Sequence, residues 1–188
     1  MISVELAPLW QEQGQQSIFR HLLECNSQPG VIANLGPWLE QESALLAVLA
    51  TLLDSSVTIH DLNTLVTPGD RRRLNVPDAP LAEARFIVAD GTQAPPADFQ
   101  PHLGTLDSPE LGATVILQGQ RLGQGRLHLD CCGPGILGQR TLHLDGFDAA
   151  WFTHRAQWVQ HFPLGAELIL VDATQVVFLP RTTRISMG

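Results

Sequence analysis

ARFIVAD (residues 84–90) and GATVILQG (residues 112–119) decide how this sequence folds. Both are apolar over strand-like lengths, and each reads as a β-strand. Outward from them, helices and strands alternate. Toward the N-terminus, GQQSIFRHLLECN (14–26) sets Ile18, Phe19, Leu22 and Leu23 on one face at helical spacing, and SQPG stops it. VIANL (31–35) reads as a short strand and EQESALLAVLATLLDS (40–55) as a buried helix, apolar almost all round. VTIHDL (57–62) reads as a strand, and TPGDRRRLNV (67–76) as a short helix opened by Thr67 with Pro68 in its first position. Pro95, Pro96 and Pro101 then make a long loop.

The second half is richer in strands. GRLHLDC (125–131) and RTLHLD (140–145) are strands, and GFDAAWFTHRAQWVQHF (146–162) is a helix with Asp148 near its start. AELILVD (166–172) and VVFLPRTT (176–183) form a terminal hairpin. The interleaving predicts one α/β layered domain with a mixed sheet over residues 1–188, with no linker.

The chain has 188 residues, 44% of them apolar and only 16% charged. So low a charge density suggests that a partner covers part of the surface. A net charge of -8 argues against nucleic acid and anionic lipid as partners. There is no lysine, so a Schiff base to pyridoxal phosphate and a Walker A loop are both excluded. Tyrosine is absent too, which leaves His, Asp, Glu and Cys for acid–base work. MISVELAPLWQEQ shows no signal-peptide pattern, and ALLAVLATLL (44–53) is too short to cross a bilayer, so the cytoplasm is the expected location.

LHLDCCGPGIL (127–137) and the second LHLD (142–145) invite a chemical reading. Alternation turns Leu127, Leu129, Leu142 and Leu144 to the core, with His128, Asp130, His143 and Asp145 on the opposite face. If the strands are neighbours, those four residues compose a possible divalent-metal set, against the plainer reading of a solvated strand face. Cys131 and Cys132 point to opposite faces and read as structural. Arg71, Arg72 and Arg73 form the one basic cluster, a phosphate fork or an ordinary ion-paired helix face.

Further strings carry a resemblance. FRHLLECNSQPG (19–30), GATVIL (112–117), GPGI (133–136), FPLGAELIL (162–170) and LPRTT (179–183) occur in order. Together they resemble the PhnH family, a subunit family of the bacterial carbon–phosphorus lyase system of phosphonate degradation. The resemblance implies a three-layer α/β/α domain similar to the large domain of pyridoxal-phosphate-dependent transferases, without the cofactor site. It also implies a homodimer that joins subunits G, I and J. That complex transfers a phosphonate onto the ribose C1 of ATP, with no catalytic residue assigned to the PhnH component. Asn26, Gln28 and Glu167 depart from the methionine, glutamate and aspartate usual at those places.

Beside the resemblance, Arg20, the Arg71–Arg73 cluster, and Arg181 with Thr182 stand as possible ligand or partner contacts. Three functions remain distinct: an assembly subunit, a nucleotide- or phosphonate-binding subunit, and a free-standing metal-dependent hydrolase.

Overall fold

A computed structural model describes residues 7–188. Residues 1–6, which fall within the expected domain and the leader reading, lie outside the described residues. The elements run α1 (Glu12–Ser27), β1 (Ile32–Asn34), α2 (Gly36–Leu39), α3 (Ala44–Leu52), β2 (Ile59–Asp61), α4 (Pro68–Leu74) and β3 (Phe86–Asp90). Then come β4 (Thr114–Gln118), β5 (Arg121–Cys132), β6 (Arg140–Asp145), α5 (Ala150–Trp158), β7 (Glu167–Val171), β8 (Gln175–Leu179) and β9 (Arg184–Met187).

Helix starts follow local chemistry. Thr67 caps α4: its Oγ1 accepts from the Asp70 amide (3.2 Å) and donates to the Asp70 carboxylate (2.6 Å), with Pro68 in the first turn. Ser43 caps α3 through the Leu46 amide. Asp148 accepts from the Ala150 amide at the start of α5.

The main sheet has six strands in the order β1-β8-β7-β4-β3-β2. β2, β3, β4 and β7 are parallel, whereas β8 and β1 add antiparallel, so the sheet is mixed as expected. Its strands run apolar because both faces are covered. Val88, Ile116, Ile169 and Val176 face a core built with α1 and α3. Ile87, Val115, Leu168 and Val177 face the other way.

That second face corrects the expected α/β/α layering. It is covered by a three-stranded antiparallel sheet, β6-β5-β9, together with α5. The reason lies in the LHLD strands. Leu129 and Leu142 pair across β5 and β6, as do Leu127 and Leu144, and this leucine face is buried against the main sheet. The small sheet therefore shares that layer with α5.

α1 also differs from a simple amphipathic reading. Ile18, Leu22 and Cys25 are buried, but Phe19 and Leu23 stand 44% and 51% exposed. Their apolar stripe is wider than the surface α1 covers. The β3–β4 connection contributes no α-helix, only a loop with one short 3-10 turn at Pro109–Leu111, so the sheet beside α1 is incompletely roofed.

Candidate interaction site

Arg181 follows β8, and Glu167 is the first residue of β7. The Arg181 Nε pairs with the Glu167 carboxylate, which also accepts from the Arg181 amide at 2.6 Å. Arg181 Nη1 donates to the carbonyls of Pro109 (2.7 Å) and Pro163 (2.9 Å). One guanidinium thus ties together the loop before β4, the loop before β7 and the end of β8. Gly112 completes the knot: a Cβ there would lie 2.2 Å from the Gly165 carbonyl oxygen and 3.3 Å from Arg181 Nη2. Only glycine allows so close a backbone approach.

The other strings join the same end of the fold. Gly135, in GPGI, has φ +80°, and a Cβ there would meet the Ser27 carbonyl oxygen at 2.2 Å. A side chain would therefore be both strained and in the way. Arg140 Nη1 donates to the Pro29 carbonyl at 2.7 Å, locking the start of β6 to the chain after α1. Asn26, Ser27, Pro29, Pro134, Gly135, Glu167, Pro180 and Thr182 line a notch of about 410 Å³. Phe162, which lines an adjoining hollow with Glu167, Pro180 and Thr182, is 71% exposed, and Leu137, just past GPGI in sequence, is fully exposed.

This surface lies at the amino end of β7, since Glu167 opens that strand. Ligand crevices in parallel α/β sheets form outside the carboxyl ends. Position, bare apolar side chains and a cation already consumed by internal bonds all describe a docking surface better than a reaction centre.

The other arginines do not gather into one phosphate site. Arg71 bridges Asp78 (2.6 Å) and Asp61 (3.6 Å). Arg73 reaches Glu42 (3.3 Å) and Asp70 (3.8 Å) and lies over the Trp10 ring at 5.6 Å. Arg72 and Arg20 are exposed, and neither side chain has a partner among the described residues. Arg181, expected with Thr182 as an anion contact, has its Nε and Nη1 engaged in the internal bonds to Glu167, Pro109 and Pro163, and Thr182 is an exposed wall of the notch.

The metal set is not assembled. His128 and His143 are direct cross-strand partners with ring centroids 5.9 Å apart. Asp130, however, takes the Thr141 hydroxyl at 2.6 Å, and Asp145 sits opposite Arg121 at the far end of the ladder. Among the described residues, no group of three or more His, Cys, Asp or Glu is placed to hold a metal ion. Alternation put the four on one face, but register set them apart along it.

Cys25 and Cys131 are buried, and burial pushes each thiol up to about 11. Thiolate, the reactive form, is scarce there at neutral pH. Cys132 is partly exposed. A thiol reagent at pH 8 is expected to modify Cys132 alone in the native chain, and all three after unfolding. Mass spectrometry of the labelled peptides checks this, and native labelling of Cys131 would contradict the packing described.

Arg155 escaped the sequence reading. It is 2% exposed on α5, and burial draws its guanidinium down to about 10. Nη2 donates to the carbonyls of Pro180 (2.6 Å), Thr183 (3.0 Å) and Leu179 (3.4 Å), so it holds LPRTT from beneath. One signal was present: Arg155 falls at helical spacing between Trp151 and Trp158, both buried.

A profile of the family described as "Bacterial phosphonate metabolism protein (PhnH)" matches residues 8–186. This chain belongs to the PhnH family. It is 42% identical to a "Putative C-P lyase subunit protein HtxG" of Stutzerimonas stutzeri, over 95% of this chain and 89% of the relative. It is 30% identical to "Alpha-D-ribose 1-methylphosphonate 5-triphosphate synthase subunit PhnH" of Rhizobium meliloti (strain 1021), over 90% of this chain and 89% of the relative. The PhnH strings scattered through the sequence thus converge on one surface, locked to one another by Arg140, Arg155 and Arg181.

Proposed function

We propose that this PhnH-family chain is an accessory subunit of a carbon–phosphorus lyase core complex and acts by docking and organising, with a partner carrying the chemistry. The observation that carries this is the Glu167–Arg181 surface: the family strings converge there, the central cation is spent on internal bonds, and apolar side chains stand exposed around a notch. The reading includes subunits G, I and J as partners, a homodimeric chain and a cytoplasmic setting. The reaction served is transfer of a phosphonate onto the ribose C1 of ATP with release of adenine. The names of the two relatives support the complex, and no helix among the described residues is long and apolar enough to cross a membrane. We extend the proposal to the fold: a likeness to the large domain of pyridoxal-phosphate-dependent transferases, in a chain whose lack of lysine forbids the cofactor's Schiff base.

The test is co-expression of the tagged chain with subunits G, I and J, followed by affinity capture. A stoichiometric complex is expected, with no consumption of ATP and methylphosphonate by the isolated chain. Turnover by the isolated chain, or no retention of the other subunits, overturns the reading. Calorimetric silence toward millimolar ATP separates it from a nucleotide-binding role.

A further inference from the structure

The outward face of the small sheet carries two imidazoles side by side. His128 of β5 and His143 of β6 are direct cross-strand partners, with ring centroids 5.9 Å apart and planes tilted by 41°. Opposed side chains of an antiparallel pair leave the sheet from points about 5 Å apart, so the two rings project together. His128 Nδ1 lies 3.4 Å from the Arg126 carbonyl. That contact uses the Nδ1 proton and leaves Nε2 as a bare lone pair, the form in which imidazole binds a metal ion. Gly188 borders that nitrogen: a Cβ there would come 2.3 Å from Nε2, so the lack of a side chain keeps the space open. His143 is exposed and makes no side-chain hydrogen bond among the described residues.

We propose that His128 and His143 form a two-imidazole chelate for a borderline divalent cation of the zinc type. The four-residue set fails because Asp130 is held by Thr141 and Asp145 stands farther along β6, but the pair needs neither. Tetrahedral zinc bound to two imidazoles at about 2.0–2.1 Å sets their ring centres about 5 Å apart. Closing the gap from 5.9 Å takes a small rotation of the side chains and no backbone movement. Imidazole nitrogen selects zinc, nickel or copper(II) over magnesium and calcium, which take oxygen ligands. The remaining positions of a four-coordinate ion fall to water. Such an ion ties β5 to β6 directly above the leucine face that packs on the main sheet. Its role is therefore a clip on the second layer, and it does not depend on the accessory-subunit role.

The test uses the full chain, stripped with a chelator and dialysed against buffered micromolar zinc. Bound metal is read by elemental analysis and melting by circular dichroism. Wild type is expected to retain one equivalent and to melt higher with zinc than without it, while magnesium does neither. His128→Gln and His143→Gln are each expected to lower zinc affinity at least about tenfold, because a lone imidazole loses the advantage of a tethered second ligand. Each should also abolish the rise in melting temperature. His161→Gln, an exposed histidine on neither strand, should change nothing. Both pair variants should melt with wild type in the absence of zinc; if His128→Gln folds poorly, the more exposed His143→Gln carries the test. Cys132→Ser should retain zinc, and loss of zinc there would assign the ion to the thiol and overturn the proposal. It is equally overturned if wild type retains no zinc, if binding survives removal of either histidine, or if all three histidine variants lose the same small share, the mark of independent surface imidazoles.

Discussion

Arg155→Ala is expected to be the most damaging single change in the second core, lowering stability by about 3–4 kcal/mol. The side chain is almost wholly enclosed and supplies a donor to three backbone carbonyls of the segment after β8. Truncation leaves those carbonyls short of a donor and opens a void beside Cys131. For a chain of this size, the melting temperature should fall by roughly 6–15 °C. Arg155→Met separates the causes. Methionine fills much of the space and removes a guanidinium whose burial is itself unfavourable, so it should lose only about half as much stability. Thermal unfolding followed by calorimetry reads both values. Equal losses would show that the carbonyl bonds, and not the filled volume, dominate. A loss below about 1 kcal/mol in Arg155→Ala would refute the anchoring role, since that is the level of an ordinary exposed substitution.

Arg155 also marks where sequence reading stops. Elements governed by neighbours were legible: Thr67 and Pro68 start α4 because the capping oxygen and its amide donor are three residues apart. The β3 and β4 strands were legible because a parallel strand covered on both faces must be apolar throughout. β9 was not. RISM is four residues long and becomes a strand by pairing with Leu129–Cys132 of β5, more than fifty residues earlier. The leucine faces of β5 and β6 were readable from alternation, and so was the shared face of their histidines. The separation of Asp130 from Asp145 was not readable, because it depends on which residue opposes which. Phe19 and Leu23 illustrate the same limit. Helical spacing placed them with Ile18 and Leu22, but the extent of a stripe that finds cover depends on the missing β3–β4 helix. The site was legible as strings and illegible as contacts: Arg181 looked like an anion fork because Glu167, Pro109 and Pro163 lie 14, 72 and 18 residues away.

Those internal bonds of Arg181 lead to the second large effect. Arg181→Ala is expected to destabilise the chain by about 2–3 kcal/mol, less than the loss at a fully buried pair because Glu167 is partly open to water. The change leaves a carboxylate beside two unsatisfied carbonyls, and three loops lose their common tie. Glu167→Gln should cost about 1–2 kcal/mol, since an amide oxygen still accepts from the Arg181 backbone but the charge is gone. If the two side chains act as one clamp, the double variant will cost clearly less than the sum of the singles. Additive losses would show that each acts through separate contacts. The functional reading adds a second measurement. At a temperature where Arg181→Ala remains folded, capture of subunits G, I and J should fall more than it does for a variant equally destabilised at a distant core position, such as Val48→Ala, within the α3 core. Equal capture by the two would leave the clamp as a stabilising feature and remove it from the docking surface. A ligand role for Arg181 predicts the opposite pattern: little loss of stability, since a guanidinium waiting for an anion makes few internal bonds, and intact assembly with impaired turnover.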